Sequence, residues 1–189
     1  MINRILIVLI AVFALSAGQA HAQRYLPKMQ GLELRGGMVD GFKNTDNFYG
    51  GIALSTYTKN KNRWVFGAEY MQKEYDYKEV QIPKAQFTAE GGYYYMFLSN
   101  YSKSLFFSIG GSALLGYEMS NWGEKLLYDG ATLRSADAFI YGGAITFEIE
   151  TYLSDRVVLL LNARERIMFG SSIGHFQTQI GAGLKFILN

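Results

Sequence analysis

The second half of the chain contains segments in which apolar residues occupy every second position. In the segment that begins at Leu105, the odd-numbered positions (one parity of the segment) include Leu105, Phe107, Ile109, Ala113, Leu115 and Tyr117. The other parity holds small or polar residues, among them Ser108, Ser112 and Glu118. Because successive Cβ atoms of a strand point to opposite faces, a period of two predicts β-strands whose two faces meet different surroundings.

Eight such segments can be counted along the chain. They cover 31–39, 48–58, 63–75, 85–98 and 157–169, and three more begin near Leu105, Phe139 and Phe176. Strands of about ten residues, apolar on one face and polar on the other, are typical of transmembrane β-barrels, which have even strand numbers in bacteria. We therefore predict an all-β fold: an antiparallel up-and-down transmembrane β-barrel of about eight strands. The alternative, a soluble sandwich or lipocalin-like barrel, would have a polar outer face.

The lengths of the predicted connections alternate as well. Residues 59–62, 99–103 and 154–156 are short connections, whereas 40–47, 76–84 and 119–137 are longer. Short turns at one end and long loops at the other are typical of outer-membrane barrels. The connection at 170–174 is the exception, because it is short on the side of the long loops.

The first 22 residues have the features of a secretory signal peptide. Arg4 supplies a basic start, residues 5–17 are apolar but too few to span a bilayer as a helix, and Ala20-His21-Ala22 is a small-x-small cleavage site. We predict a signal peptide at 1–22 and one outer-membrane β-barrel domain at 23–189, with an uncleaved anchor helix as the alternative. The chain contains no cysteine, which excludes disulfides and thiolate metal sites.

Charged residues fall mainly on the inward parity of the predicted strands. Charges in a narrow lumen must be paired or hydrated, and an eight-stranded barrel is only wide enough for side chains to fill it. We predict a filled lumen with a charge network of five acids and five bases. Its members are Glu33, Arg35, Glu69, Lys73, Glu90, Glu148, Glu150, Arg164, Arg166 and Lys185.

Two other groups of residues bear on the predicted membrane surface. Glu165 falls on the outward parity of 157–169, which indicates either a bulge or a position above the hydrocarbon. Aromatic residues gather near the strand ends, where interfacial girdles are expected. They are Tyr57, Trp64, Tyr75, Tyr77, Tyr101, Tyr117, Phe139 and Tyr152.

Candidates for catalysis are few. Beyond residue 22 the single histidine is His175, with Ser171 and Ser172 just before it and Asp137 at the end of the longest loop. A membrane acyltransferase would need such a set, but a polar loop is the simpler interpretation. We predict no enzyme activity, no cofactor or metal site and no small-molecule substrate. With 18 Lys+Arg against 16 Asp+Glu, the near-neutral chain also lacks the basic footprint of a nucleic-acid binder.

The longest predicted loop, 119–137, contains more apolar side chains than a solvated loop needs. We predict that it contacts another envelope component or the recipient cell, or else folds back over the barrel mouth. The candidate contact residues are Trp122, Leu126, Leu127, Tyr128 and Leu133.

Residues 23–41, QRYLPKMQGLELRGGMVDG, together with the segment before them and Tyr93-Tyr94-Tyr95, resemble the TraO family of conjugative-transposon proteins from Bacteroides-type bacteria. The similarity covers the whole chain and is most specific at 31–41. It implies membership of a type IV secretion-like mating apparatus, with outer-membrane lipid and other envelope proteins as partners, and it transfers no catalytic residue.

Together these observations predict an outer-membrane component of a conjugative apparatus with a structural or scaffolding role. Its lumen would be filled and would not conduct DNA. The alternative is a general small outer-membrane barrel for envelope stability or adhesion.

Overall fold

The computed structural model describes residues 28–41, 47–77, 80–101, 103–120 and 137–188. They form eight strands: β1 (Gln30–Val39), β2 (Phe48–Tyr57), β3 (Arg63–Tyr77), β4 (Val80–Ser99), β5 (Leu105–Ser120), β6 (Ala138–Tyr152), β7 (Val157–Phe169) and β8 (Phe176–Ile187). Each strand pairs antiparallel with the next, and β8 pairs with β1, so the sheet closes on itself. The predicted fold class is confirmed.

Some predictions lie outside the described residues. These are the signal peptide at 1–22 and the apolar loop residues between 121 and 136. No helix in the described part of the chain is long and apolar enough to cross a membrane.

The two walls of the barrel follow the parity of the sequence. On β5, Ser108 is fully buried inside the barrel, whereas its neighbour Ile109 is 48% exposed on the outside. On β3, Val65 is fully buried and Phe66 is 58% exposed. A closed sheet satisfies its backbone donors and acceptors between strands, so each side chain is left to fit one of two very different surroundings.

The connections distinguish the two ends of the barrel. Residues 58–62, 100–104 and 153–156 join strands at what we call the turn end, and the connections around 40–47, 121–137 and 170–175 lie at the loop end. At the turn end, the Asn100 side-chain oxygen accepts hydrogen bonds from the backbone N–H groups of Ser104 and Leu105, at 2.9 and 3.0 Å. Such local bonds hold a tight turn in place.

The prediction of a loop at 76–84 is wrong. β3 and β4 pair as far as Tyr77 and Val80, which leaves a connection of only residues 78–79. This stretch contains Pro83, and a proline is tolerated in a strand where its nitrogen faces no partner. The pairing of β4 with β5 begins at Lys84 and Ser120, so within the described residues Pro83 has no strand partner on that side. The β3–β4 hairpin therefore continues past the described end of β5 at the loop end.

Candidate functional site

Buried ion pairs occupy the inside of the barrel near the turn end. The Nζ atom of Lys185 lies 3.1 Å from Oε1 of Glu33, and the same ammonium group forms an ion pair with Glu150. It also donates a hydrogen bond of 2.8 Å to the hydroxyl oxygen of Tyr57. Lys185 and Glu33 are fully buried, so these contacts replace the water that both charges lose on folding.

Two arginines continue the network toward the middle of the barrel. Arg63 pairs with Glu148, and its Nη1 atom lies 3.1 Å from Oε1 of Glu150. Arg35 pairs with Glu33 and lies 3.8 Å from carboxylate oxygens of both Glu90 and Glu148. Because each arginine reaches more than one carboxylate, the charges form a connected network and not a set of isolated pairs.

The network ends near the loop end at Arg164 and Arg166. Arg164 lies 2.5 Å from Glu90 and 3.2 Å from Glu69. Arg166 reaches the other oxygen of Glu69 at 2.9 Å, and the Gln179 side chain donates to that oxygen at 2.8 Å. These contacts join β7 to β3 and β4 across the interior of the barrel.

The structure brings together all of the predicted network residues except Lys73. Lys73 lies at the loop end with its side chain 18% exposed, and its Nζ atom is 2.5 Å from Oδ2 of Asp40. Arg63 takes its place, so five cations still face five carboxylates. Arg63 was missed because it directly follows a turn, although its parity with Glu69 could have identified it.

Several tyrosines assigned to the outer girdles lie inside the barrel. Tyr57 is 2% exposed and donates a hydrogen bond to Glu150 at 3.2 Å. Tyr75 and Tyr152 also have inward parity, and the Tyr152 ring lies 5.8 Å from that of buried Phe106. The prediction is therefore wrong for these three, because position near a strand end does not decide the face of a side chain. Trp64, Tyr117 and Phe139 do lie on the outer surface.

Tyr94 is a further interior residue that the sequence analysis did not single out. It is fully buried, and its ring centroid lies 4.7 Å from the guanidinium carbon of Arg63. Its hydroxyl group accepts a hydrogen bond of 3.3 Å from Arg164. Tyr94 thus links the two arginine groups of the network through its ring and its hydroxyl.

The connection between β7 and β8 contacts inward-facing side chains at the loop end of the barrel. The buried carboxylate of Glu118 accepts hydrogen bonds from the Ser171 hydroxyl at 2.7 Å and from the backbone N–H of Ser172 at 3.0 Å. The Ser172 hydroxyl donates to Glu118 as well. Gln86 on β4 donates to the same carboxylate at 2.8 Å.

The tip of this connection inserts an apolar side chain. Ile173 is 7% exposed and packs in a cluster with Val39, Tyr49 and Met71. Tyr75 lies against this cluster and donates a hydrogen bond of 2.8 Å to the Ile173 carbonyl oxygen. The connection is short, although it lies at the loop end, because it folds into the mouth and not away from it.

The candidate catalytic residues are used for structure. His175 is exposed, and its Nδ1 atom lies 3.0 Å from the Met168 carbonyl oxygen. Both serines contact Glu118, and Asp137 accepts a hydrogen bond from the Ser120 backbone at 3.4 Å. The structure does not bring histidine, serine and aspartate together. Within the described residues, no group of three or more His, Cys, Asp or Glu side chains is arranged to hold a metal ion.

The outer wall has two aromatic belts. The loop-side belt consists of Phe48, Tyr70, Phe87, Tyr117, Phe139, Tyr141, Phe169 and Phe176, and the turn-side belt of Trp64, Tyr93, Tyr95, Phe97, Phe107 and Phe186. Phe87 and Tyr95 are eight residues apart on β4, which is roughly 27 Å along the strand. Strand tilt reduces the height to roughly 20 Å, close to the apolar band of outer-membrane barrels.

Glu165 interrupts the apolar surface between the belts. The pairing of β7 is continuous through this residue, which faces Ile145 on one side and Thr178 on the other. A bulge, one of the two explanations that the sequence suggested, is therefore not found at Glu165.

Two solved structures are similar to this chain. Neisserial surface protein A (NspA) superposes with a TM-score of 0.54 at 10% sequence identity, over 85% of this chain and 96% of that chain. The N-terminal β-barrel domain of Pseudomonas aeruginosa OprF gives a TM-score of 0.49 at 11% identity, over 84% of this chain and 98% of that chain. At such low identity, the likeness to NspA shows the fold alone.

The family of the chain is shown by its sequence. No curated protein matches it. The family model described as conjugative transposon protein TraO matches residues 26–188, which include every strand of the barrel. The resemblance noted at residues 23–41 therefore extends over nearly the whole chain, and the protein belongs to the conjugative transposon protein TraO family.

Proposed function

We propose that this protein is an outer-membrane component of the mating apparatus that moves a conjugative element between cells, and that its role is structural or scaffolding. The family supports the connection with conjugation. The apolar band between the two aromatic belts supports insertion in the outer membrane, because belts of this kind lie at the two membrane interfaces. Residues 1–22 would direct export and be removed.

The single observation that carries the proposed role is the set of ion pairs that cross the interior. Arg63 on β3 pairs with Glu148 on β6, and Arg164 on β7 pairs with Glu69 on β3. Opening a path along the axis would separate these partners and leave charges buried without a counterion, which is strongly unfavourable. A filled lumen of this kind would exclude DNA, so the protein would act through its surfaces.

The same contacts support a role without catalysis. Ser171 and Ser172, the nucleophile candidates, both donate their hydroxyl groups to Glu118. Partners would then be outer-membrane lipid and other envelope proteins of the apparatus. Because loops on a rigid barrel are natural contact sites, we retain Trp122, Leu126, Leu127, Tyr128 and Leu133 as a candidate partner-contact loop.

Deletion of the gene from a donor tests the proposal. We expect transfer of the element to fall while donor growth and DNA nicking stay nearly unchanged, and the intact gene supplied in trans should restore transfer. Replacing 121–134 with a Gly/Ser linker of equal length should lower mating and leave the barrel in the outer membrane. Unchanged mating after both deletion and replacement would contradict the role in conjugation and favour a general envelope barrel.

A further inference from the structure

Glu165 places a carboxylate on the outer wall, inside the apolar band. On the same face of β7, Phe169 lies four residues closer to the loop end, and its ring is 5.7 Å from that of Tyr141 in the loop-side belt. Glu165 therefore lies on the membrane side of this belt. This placement favours the membrane side of the belt over the second explanation suggested by the sequence, a position above the hydrocarbon.

The residues next to Glu165 on the outer wall are apolar apart from Thr178, whose backbone N–H donates a hydrogen bond of 3.1 Å to Asp40 at the loop end. Its strand neighbour Ile145 is 63% exposed, and Ala163 and Ile180 are also exposed on the outer wall. The Glu165 carboxylate accepts a hydrogen bond of 2.6 Å from the Thr178 hydroxyl. Within the described residues, the ion pairs of lysines and arginines are made with other carboxylates and not with Glu165. A charge facing lipid without a counterion is unfavourable, and charged groups at membrane depth commonly mark functional contacts.

The described residues of a second copy do not supply the missing charge. Among them, the cations located between the two belts are Arg35, Arg63, Arg164, Arg166 and Lys185, and all of these pair inside the barrel. A two-fold dimer through this wall would place one Glu165 near the other. The described residues of a second copy therefore offer no partner for Glu165, which favours a different molecule as the source of the complementary group.

Some of the side chains near Glu165 are also small. Ala163 lies next to it on the outer face of β7, and Ala182 on β8 pairs with Gly36 on β1. A Cβ atom added at Gly36 would come no closer than 3.4 Å to its nearest neighbour, so packing within the barrel does not require a glycine there. Small residues allow a membrane-embedded partner to approach closely.

We propose that this part of the wall, the Glu165 face, binds a membrane-embedded segment of another mating-apparatus protein that presents a lysine or arginine to Glu165. The Glu165 face consists of Ile145, Ala163, Glu165, Thr178, Ile180 and Ala182. This inference rests on the proposed function, because it names the chemistry of one partner of the barrel.

Site-specific photo-crosslinking in donor cells that carry the element tests the proposal. A photoreactive amino acid is placed at Ala163, and the matched control at Ala68, which is exposed on β3 across the barrel. We expect Ala163, but not Ala68, to give an adduct with a membrane protein encoded by the element. Glu165→Gln keeps the size of the side chain and an acceptor for Thr178, and it should lower the yield at least tenfold while the barrel stays heat-modifiable.

A charge exchange identifies the partner group. After the adduct is sequenced, Glu165→Lys should abolish it, and Glu165→Lys combined with an acidic residue at the partner's cation should restore it. The proposal is overturned if both positions give equal adducts, if Glu165→Gln leaves the yield unchanged, or if Ala163 captures only lipid or nothing. If one of these results accompanies a loss of transfer on gene deletion, only this inference falls. If deletion leaves transfer unchanged, the proposed function falls as well.

Discussion

The inner and outer walls of the barrel differ most clearly at their glycines. A Cβ atom added at Gly142, on the inner side of β6, would lie 2.0 Å from the Ile167 carbonyl oxygen. A Cβ atom added at Gly111, on the outer side of neighbouring β5, would meet no atom within 4 Å. Close packing therefore requires a glycine at Gly142 on the inner wall, whereas it does not require one at Gly111 on the outer wall. Contacts within the chain decide which side chains fit on the inner wall, whereas the surroundings of the barrel decide which side chains fit on the outer wall.

Charges show the same difference. Inside, Arg63 and Lys185 each contact more than one glutamate, and the whole network is held between strands of this chain. On the outer wall, Glu165 has Thr178 as its hydrogen-bond partner. Folding therefore pairs the interior charges with one another, whereas the charge of Glu165 has to be stabilised by the surroundings of the barrel. The following predictions test this contrast.

The largest effect is expected for an unpaired charge on the inner wall. Arg63→Met should destabilise the barrel by about 3–5 kcal/mol, because Glu148 is left buried without its main counterion. The double variant Arg63→Met with Glu148→Gln is the control and should recover much of the loss. The free energy of unfolding in urea, measured for barrels folded in detergent, reports both. Equal stability of the single variant and the native protein would show that the network is hydrated and not tightly paired.

A new charge on the outer wall should have an effect that depends on depth. Ile145→Arg, between the belts, should cost about 2–4 kcal/mol in lipid, and Leu161→Arg should behave in the same way. Phe176→Arg, at the loop-side belt, should cost only about 0–1 kcal/mol beyond the lost ring. Folding yield and unfolding free energy in lipid vesicles measure these differences. Equal penalties at the two depths would argue against a membrane band between the belts.

The two glycines provide the direct comparison. Gly142→Ala should destabilise the barrel by about 1–3 kcal/mol, since its methyl group has no room beside Ile167. Gly111→Ala should change stability by no more than about 0.5 kcal/mol. Heat-modifiable migration and urea unfolding compare them under one set of conditions. Similar behaviour of the two variants would mean that the inner wall adjusts more easily than close packing suggests.

The smallest effect is expected at the mouth. Ser172→Ala removes the hydroxyl group that bonds to Glu118 but keeps the backbone N–H bond at 3.0 Å. The loss should be about 0.5–1.5 kcal/mol, as for a single hydrogen bond. Ser154→Ala in an exposed turn is the control, and it should change less. Protease access to 170–175 would show whether the connection leaves the mouth.

Much of the architecture can be predicted from the sequence because side-chain alternation is a local property. The parity of Ile109 and Ser108 assigns each to its wall, and the same rule placed Glu33, Glu90 and Glu148 on the inner wall before any contact was known. The rule fails where another signal was given more weight, and at the register shift in β4, where Phe97 and Leu98 are both exposed. Tyr57 was assigned to a girdle by its position near a strand end, although its own parity with Ala53 indicates the interior.

Tertiary structure alone decided what depends on several strands at once. Arg63 and Glu148 meet because the register of every strand between β3 and β6 brings them to the same height. No local sequence pattern encodes the combined effect of these registers. How far the β3–β4 hairpin continues past the described end of β5 at Ser120 depends on where β4 and β5 begin to pair. The inward fold of 171–173 requires Glu118 from a different strand. Local alternation determined the walls, and strand register determined which residues meet within them.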